Sequence, residues 1–225
     1  MAEPPAQEAF LAAVSHGLRT PLTPIRGYAE ILRRHPDLPA EKIASYADTI
    51  LASTLRLARV IDLVVEISAL ESGRAVVADR SVGVGSLLDE RLANWQGRGG
   101  DRAGDLGLDI DAAVGAVMAD PVWLAKILDE LLDNALRFST AGSPVLLVAQ
   151  TRPGGVVRIG VRDSGAGLDP AVADALLGRR AGEGGAGLGV GLLYVRRLAA
   201  RLHRTLSVTA LAGGGTEVAL DLPAG

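Results

Sequence analysis

A chain of 225 residues with 48% hydrophobic content can fill one large domain or two modest ones, and with only 3% aromatics its cores must rest on Leu, Val, Ile and Ala. The net charge of −3, with acidic and basic residues interspersed, argues against a nucleic-acid or anionic-membrane surface. The lack of cysteine excludes disulfides and thiolate metal sites, MAEPPAQEAF lacks the features of a signal peptide, and no apolar run approaches the roughly 18 residues of a membrane span, so a soluble, cytoplasmic chain is expected.

Two long helical patterns come first. Leu11, Val14, Leu18, Leu22, Ile25, Ala29 and Leu32 recur at steps of three and four, and so do Ile43, Ala47, Ile50, Leu57, Ile61, Val64 and Ile67. Such steps gather each set on one stripe of a helix. The turn His35-Pro36-Asp37-Leu38-Pro39 between them predicts an antiparallel hairpin. One hairpin encloses no core, so residues 1–72 are expected to form a homodimer, two hairpins making a four-helix bundle.

After Gly73 the pattern changes to short β-like runs at Ala75–Val77, Leu108–Ile110, Val114–Met118, Val145–Ala149, Val156–Val161, Leu206–Thr209 and Glu217–Leu220. Helical stretches lie near 84–95, 121–138 and 188–202, and hairpins are expected around Pro153-Gly154-Gly155 and Gly213-Gly214-Gly215. The mixture predicts a two-layer α/β sandwich with a partly antiparallel sheet over residues 73–225. Of the two glycine-rich stretches, Gly97–Gly107 reads as a surface loop, whereas Gly178–Gly191 precedes a helix.

Four short strings carry chemistry. In Ser15-His16-Gly17-Leu18-Arg19-Thr20-Pro21-Leu22, the histidine lies between stripe positions, near the bundle surface. Neutral imidazole is a competent nucleophile near neutral pH. Pro21 denies the Gly17 carbonyl its helical donor, and Gly17 adds roughly 1 kcal/mol of helix penalty, so α-helical structure is soft beside His16. His35 and His203 carry no such context and read as ordinary solvated side chains. The second string, Glu130 to Ser139, is helical, with Asn134 off the apolar face. In the third, Asp163-Ser164-Gly165-Ala166-Gly167, the glycines would let backbone pass close to a ligand. The fourth, Gly185-Ala186-Gly187-Leu188-Gly189-Val190-Gly191-Leu192, opens a helix whose positive end suits phosphate. Gly182 to Gly187 also fits G-x-G-x-x-G, but no buried strand precedes it and no acidic residue follows a second strand about 20 residues on. No Walker P-loop occurs.

Together these strings resemble the catalytic core of the sensor histidine kinases, from about Phe10 to Leu222 and in the expected order. The first matches the phosphoacceptor box S-H-E-L-R-T-P-L at seven of eight positions. The others resemble the N, G1 and G2 boxes of the gyrase-type (Bergerat) ATPase superfamily. The resemblance implies that ATP phosphorylates His16 and that the phosphoryl group passes to an aspartate of a response regulator receiver domain. It further implies that Asn134 coordinates the Mg²⁺ on the ATP phosphates, with Glu130 as a metal-side ligand, and that Arg137 approaches the phosphates. Asp163 would accept the adenine amino group, Gly165 and Gly167 would line the base, and Gly187 and Gly189 the phosphates. Thr20 is what remains of the acid-x-x-Thr pattern linked to phosphatase action.

The sequence departs from the family at three places. Gly17 replaces the acid that orients the imidazole and takes its proton, a loss typically costing ~10²–10⁴ in rate, so Gly17→Glu is expected to raise labelling. Glu130 stands where kinases usually carry asparagine and gyrase-like ATPases carry a water-activating glutamate. The lid, 168–184, is short and lacks an aromatic, with Arg179 or Arg180 to reach the phosphates. Two rivals follow: a histidine phosphotransferase or pseudokinase relay module, favoured by Gly17 and the short lid, and a gyrase-like ATPase, favoured by Glu130. With His16 so near the start, sensing is expected in trans or in a longer, membrane-bound parent of which this is the cytoplasmic part.

Overall fold

The structure, a computed structural model, describes residues 6–74, 76–98, 100–178 and 189–225. It opens with the hairpin, α1 (Ala6–Arg34) against α2 (Ala40–Glu71), with the rings of Tyr28 and Tyr46 4.9 Å apart across it. Helix α1 stays continuous through Pro21 and Pro24, although each proline leaves a carbonyl without its donor. The hydroxyls of Thr20 and Thr23 bond back to the carbonyls of His16 (3.0 Å) and Arg19 (3.1 Å) in the same stretch.

The apolar residues of α2 divide between two faces, where a single stripe was expected. Leu63, Ile67 and Leu70 are buried in the core that α2 shares with the rest of the chain. Leu51, Leu55, Ile61 and Val65 stay exposed, as do Leu11 and Leu22 of α1.

The remainder is β1 (Arg80–Gly83), α3 (Val84–Arg98), a 3-10 turn (Gly100–Asp105), β2 (Leu106–Ile110), β3 (Ala116–Ala119), α4 (Pro121–Phe138), β4 (Val145–Arg152), β5 (Val156–Asp163), α5 (Pro170–Leu176), α6 (Val190–Arg201), β6 (Thr205–Ala210) and β7 (Thr216–Pro223). Five strands form one sheet in the order β2-β4-β5-β7-β6, with β2 parallel to β4 and the other pairs antiparallel. A two-stranded ladder, β1-β3, stands beside it.

Helices α4 and α6 pack on one face of the large sheet, burying Leu128, Leu132, Leu193 and Leu198 over Leu147, Ile159 and Leu220. Across β5 and β7, Arg158 pairs with Asp221 at 2.8 Å and Arg162 with Glu217 at 2.8 Å. These ion pairs mark the other, polar face, so the unit is the two-layer α/β sandwich expected from the pattern.

Both glycine hairpins are present. Gly154 and Gly155 have φ of +83° and +70°, and Gly214 and Gly215 have +89° and +92°, a region closed to most other residues at little cost. Three expectations need correction. Residues 76–79 form no strand, and the first strand is Arg80–Gly83, chosen by its ladder with β3. The run from Val114 starts as strand only at Ala116. The stretch 97–107 is not a plain loop, because it holds the end of α3, the 3-10 turn and the start of β2.

Candidate active site

Helix α4 is set by its start. Asp120, only 9% exposed, accepts from the amides of Val122 (2.9 Å) and Trp123 (3.3 Å) with one oxygen and from Ala78 (2.9 Å) with the other. Pro121 follows at the first helical position, where a missing N–H costs nothing. From that anchor Leu124, Ile127, Leu128, Leu131, Leu132 and Ala135 face the core. Asn134 is left half-buried and Arg137 exposed.

The far end of α4 is clamped by Arg102. Its guanidinium donates to the carbonyls of Leu136, Ser139 (3.2 Å) and Thr140 (3.1 Å) and to the Ser139 hydroxyl (3.0 Å), while Nε donates to Asp105 at 2.8 Å. A helix C-terminus leaves its last carbonyls without intrahelical donors, and a cation there also suits the dipole. That hydrogen bonding to Arg102 also holds the Asp105 carboxyl below its ordinary range.

The loop after β5 lies against this end of α4. The Asp163 carboxylate accepts from the Gly165 amide at 2.8 Å. A Cβ at Gly165 would stand 3.0 Å from the Phe138 carbonyl and 3.3 Å from Ser139 Cα, so only glycine fits without a shift. From the other side comes the β6–β7 turn: a Cβ at Gly215 would lie 2.0 Å from the Asp163 carbonyl. Next to it, buried Thr216 accepts from the Leu168 amide at 2.8 Å. Gly167 takes φ +86° between these contacts. A carboxylate accepting one bond still has lone pairs for a further donor, which fits an amino group on a planar base.

Gly189 caps the N-terminus of α6, and an Arg137 Nη2 lies 3.9 Å from where its Cβ would be. That guanidinium also stacks 4.5 Å from the Phe138 ring. A helix N-terminus and an arginine side by side suit an anion such as phosphate. Gly187, Arg179, Arg180 and the last part of the expected lid, 179–184, lie outside the described residues. The described part of the lid includes α5, capped by Asp169, whose side chain accepts from the Ala171 amide at 2.7 Å.

Glu130 is 8% exposed and faces α2. One of its oxygens accepts from Arg59 Nε (3.0 Å) and Nη2 (2.7 Å), while Nη1 lies 3.1 Å from Asp133. Burial pushes the Glu130 carboxyl above its ordinary range even though Arg59 pulls the other way. Two carboxylates and the amide oxygen of Asn134, one turn apart on α4, are hard oxygen donors of the kind Mg²⁺ takes, and the guanidinium on two of them is a cation standing there now. The donor set therefore fits the metal. A cleft of about 770 Å³ between α2, α3 and α4 opens alongside, lined among others by Arg59, Glu130 and Asp133.

Thus α4, the loop after β5 and the start of α6 bring Asn134, Arg137, Asp163, Gly165, Gly167 and Gly189 to one end of the sandwich. His16 is exposed on α1, with Thr20 one turn further along, and α1 itself touches α6. Sequence reasoning missed Arg59, Arg102, Gly215 and Thr216. The glycine triplet before Thr216 read only as a turn, and nothing local distinguishes either arginine.

A family model described as the His Kinase A (phospho-acceptor) domain matches residues 6–73. Another, described as Histidine kinase-, DNA gyrase B-, and HSP90-like ATPase, matches residues 119–225. Among curated proteins, the sensor protein DivL of Caulobacter vibrioides is 32% identical over 217 residues, covering 95% of this chain and 28% of DivL. The sensor protein TorS of Escherichia coli is 34% identical over 228 residues, 97% of this chain and 24% of TorS. The chain thus spans about a quarter of the length of each (28% and 24%). Among solved structures, full-length ShkA in complex with AMPPNP superposes with a TM-score of 0.64 at 26% identity, over 96% of this chain and 46% of ShkA.

Proposed function

The chain belongs to the sensor histidine kinase family, and on that footing we propose that it moves the γ-phosphoryl group of ATP onto an imidazole nitrogen of His16 and then onto an aspartate of a response regulator. The observation that carries this reading is the convergence of Asn134, Arg137, Asp163 and Gly189 at the end of the sandwich whose helix α6 touches the His16-bearing helix. Nucleotide as the donor is supported by the AMPPNP in ShkA.

Each residue has a physical role in that reading. Asp163 accepts the adenine amino group, and the glycines beside it keep Cβ atoms out of the base's plane. Arg137 and the N-terminus of α6 at Gly189 hold the phosphates. Asn134, with Glu130, holds Mg²⁺, which when bound neutralises charge on the phosphates. Transfer of this type depends mainly on positioning and charge stabilisation. His16 attacks through its unprotonated nitrogen: the new N–P bond forms as the bond from phosphorus to the bridging oxygen breaks and ADP leaves. Thr20, one turn along, serves the phosphatase step, in which water takes the phosphoryl group from the regulator's phosphoaspartate and frees the carboxylate and inorganic phosphate.

Residues 1–72 act as the dimerisation and phosphotransfer unit and residues 73–225 as the ATP-binding unit. The exposed Leu51, Leu55 and Val65 support a homodimer through the hairpin. No helix among the described residues is long and apolar enough to cross a membrane. Incubation with γ-labelled ATP tests the proposal. Acid-labile label that maps to His16 and vanishes in His16→Gln is expected; ATP binding without label would favour the relay module.

A further inference from the structure

Gly17 lies inside α1, where glycine costs roughly 1 kcal/mol relative to alanine. Its backbone is ordinary helix, not the left-handed region, so conformation does not require it. Space does. A Cβ built at Gly17 would stand 2.5 Å from Val190 Cγ2 and 3.5 Å from Val60 Cγ1, whereas one at Gly27 in the same helix meets nothing within 4 Å. Carbon atoms pack at about 3.5–4.0 Å, so the first contact leaves no room for a methyl. Val190 is 4% exposed and β-branched, with few alternative rotamers in a helix.

Val190 is also the first residue of α6, next to the Gly189 cap and the Arg137 guanidinium. The interface around it is fastened further along. Glu66 of α2 accepts from Tyr194 at 2.7 Å and from Lys126 at 2.6 Å, and Arg197 of α6 pairs with Glu71 and stacks 4.6 Å from the Phe10 ring. Together with Arg59 on Glu130, these contacts hold α4 and α6 against the hairpin.

We propose that Gly17 is a positioning residue: it forms the notch in α1 that receives Val190 and so seats the phosphate end of the ATP-binding unit beside His16 of the same chain. This rests on the phosphotransfer reading above for its consequence, though not for the seat itself. On this reading the residue that replaces the usual acid does steric work. Gly17→Glu would supply a carboxylate and unseat α6 at once, so its rate gain, expected from the sequence alone, is opposed.

Gly17→Ala isolates the notch. It adds one methyl and makes α1 a better helix, so a loss cannot come from a weakened helix. In the whole chain, labelling at His16 is expected to fall roughly 10-fold or more, because misplacement of an ångström costs that much, while the Kd for Mg·ATP changes less than about 2-fold. Val190→Ala removes the opposing methyls, so Gly17→Ala/Val190→Ala should recover most of the rate. The chain has no cysteine, so nitroxides can be placed cleanly at Ala12→Cys on α1 and Ala200→Cys on α6, diluted with unlabelled chain. Their distance distribution should be narrow in the parent, broader in Gly17→Ala and narrow again in the double variant. Unchanged rate and unchanged distances in Gly17→Ala would overturn the proposal, and so would a loss that Val190→Ala does not rescue. If the parent itself leaves His16 unlabelled, the phosphotransfer reading fails while the distances still decide the seat.

Discussion

Replacing Arg59 with methionine keeps an apolar stem on α2 and removes the charge between Glu130 and Asp133. The guanidinium reaches Glu130 at 2.7 Å and Asp133 at 3.1 Å, and the Glu130 side chain is 9% exposed against 33% for Arg59. Stranding a fully buried carboxylate costs ~3–5 kcal/mol. Arg59 is a third exposed, so solvent already screens part of the pair and about 1–3 kcal/mol is the expected loss at neutral pH. Denaturant unfolding of the parent, Arg59→Met, Glu130→Gln and the double variant closes a cycle. A coupling of about 1 kcal/mol or more is expected. The same pair should oppose Mg²⁺, because the metal and the guanidinium compete for the same oxygens. Since 1.4 kcal/mol is tenfold, the Mg²⁺-dependent part of ATP affinity should improve by roughly that factor in Arg59→Met. A coupling under about 0.5 kcal/mol together with unchanged Mg²⁺ dependence would refute the idea that Arg59 occupies the metal's place.

Asp163→Asn should lose adenine recognition, and Asn134→Ala should lose Mg²⁺-dependent affinity while weak nucleotide binding persists; calorimetry that shows neither change would mean the pocket is misplaced. Sedimentation should find a homodimer at micromolar concentration, disrupted by Leu55→Glu on the exposed face of α2, and a fragment starting near Ala75 should be monomeric. Burial raises the folded pKa of Glu130 above its unfolded value. The stability this contributes is complete below the unfolded pKa and is lost as pH rises through the folded one. Relative to Glu130→Gln, the parent should therefore lose stability as pH rises from the ordinary glutamate range through the raised folded pKa, and parallel profiles would contradict that assignment.

What was legible in the sequence was the placement of strings with fixed residue types at fixed spacing on one element or its end. Ser15–Leu22 lies on one helix, Glu130–Ser139 on another and its cap, and Asp163–Gly167 runs from the end of β5 into its loop, so each string could be picked out locally. The contacts that pin these segments could not. Arg102 reaches residues 34 to 38 positions away and Arg59 one 71 positions away, and no periodicity records such pairs. The first strand was misplaced for a related reason: Ala75–Val77 has the β-branched composition, but Arg80–Gly83 has the partner, with Val82 opposite Val117. Helix α5 did leave a signal, an Asp169-Pro170 cap and first position, inside a stretch read as lid.

Arg102 bears on where the ATP-binding unit can be cut. The ATPase family match begins at residue 119. A fragment starting there would lack β1, α3, the 3-10 turn and β2. Without β2, strand β4 becomes an open edge, a template for pairing between molecules. Without Arg102, the carbonyls of Leu136, Ser139 and Thr140 lose their donor at the end of α4 against which Gly165 packs. The smallest piece that keeps the nucleotide pocket intact therefore starts before Arg80, some forty residues upstream of the recognisable motif region.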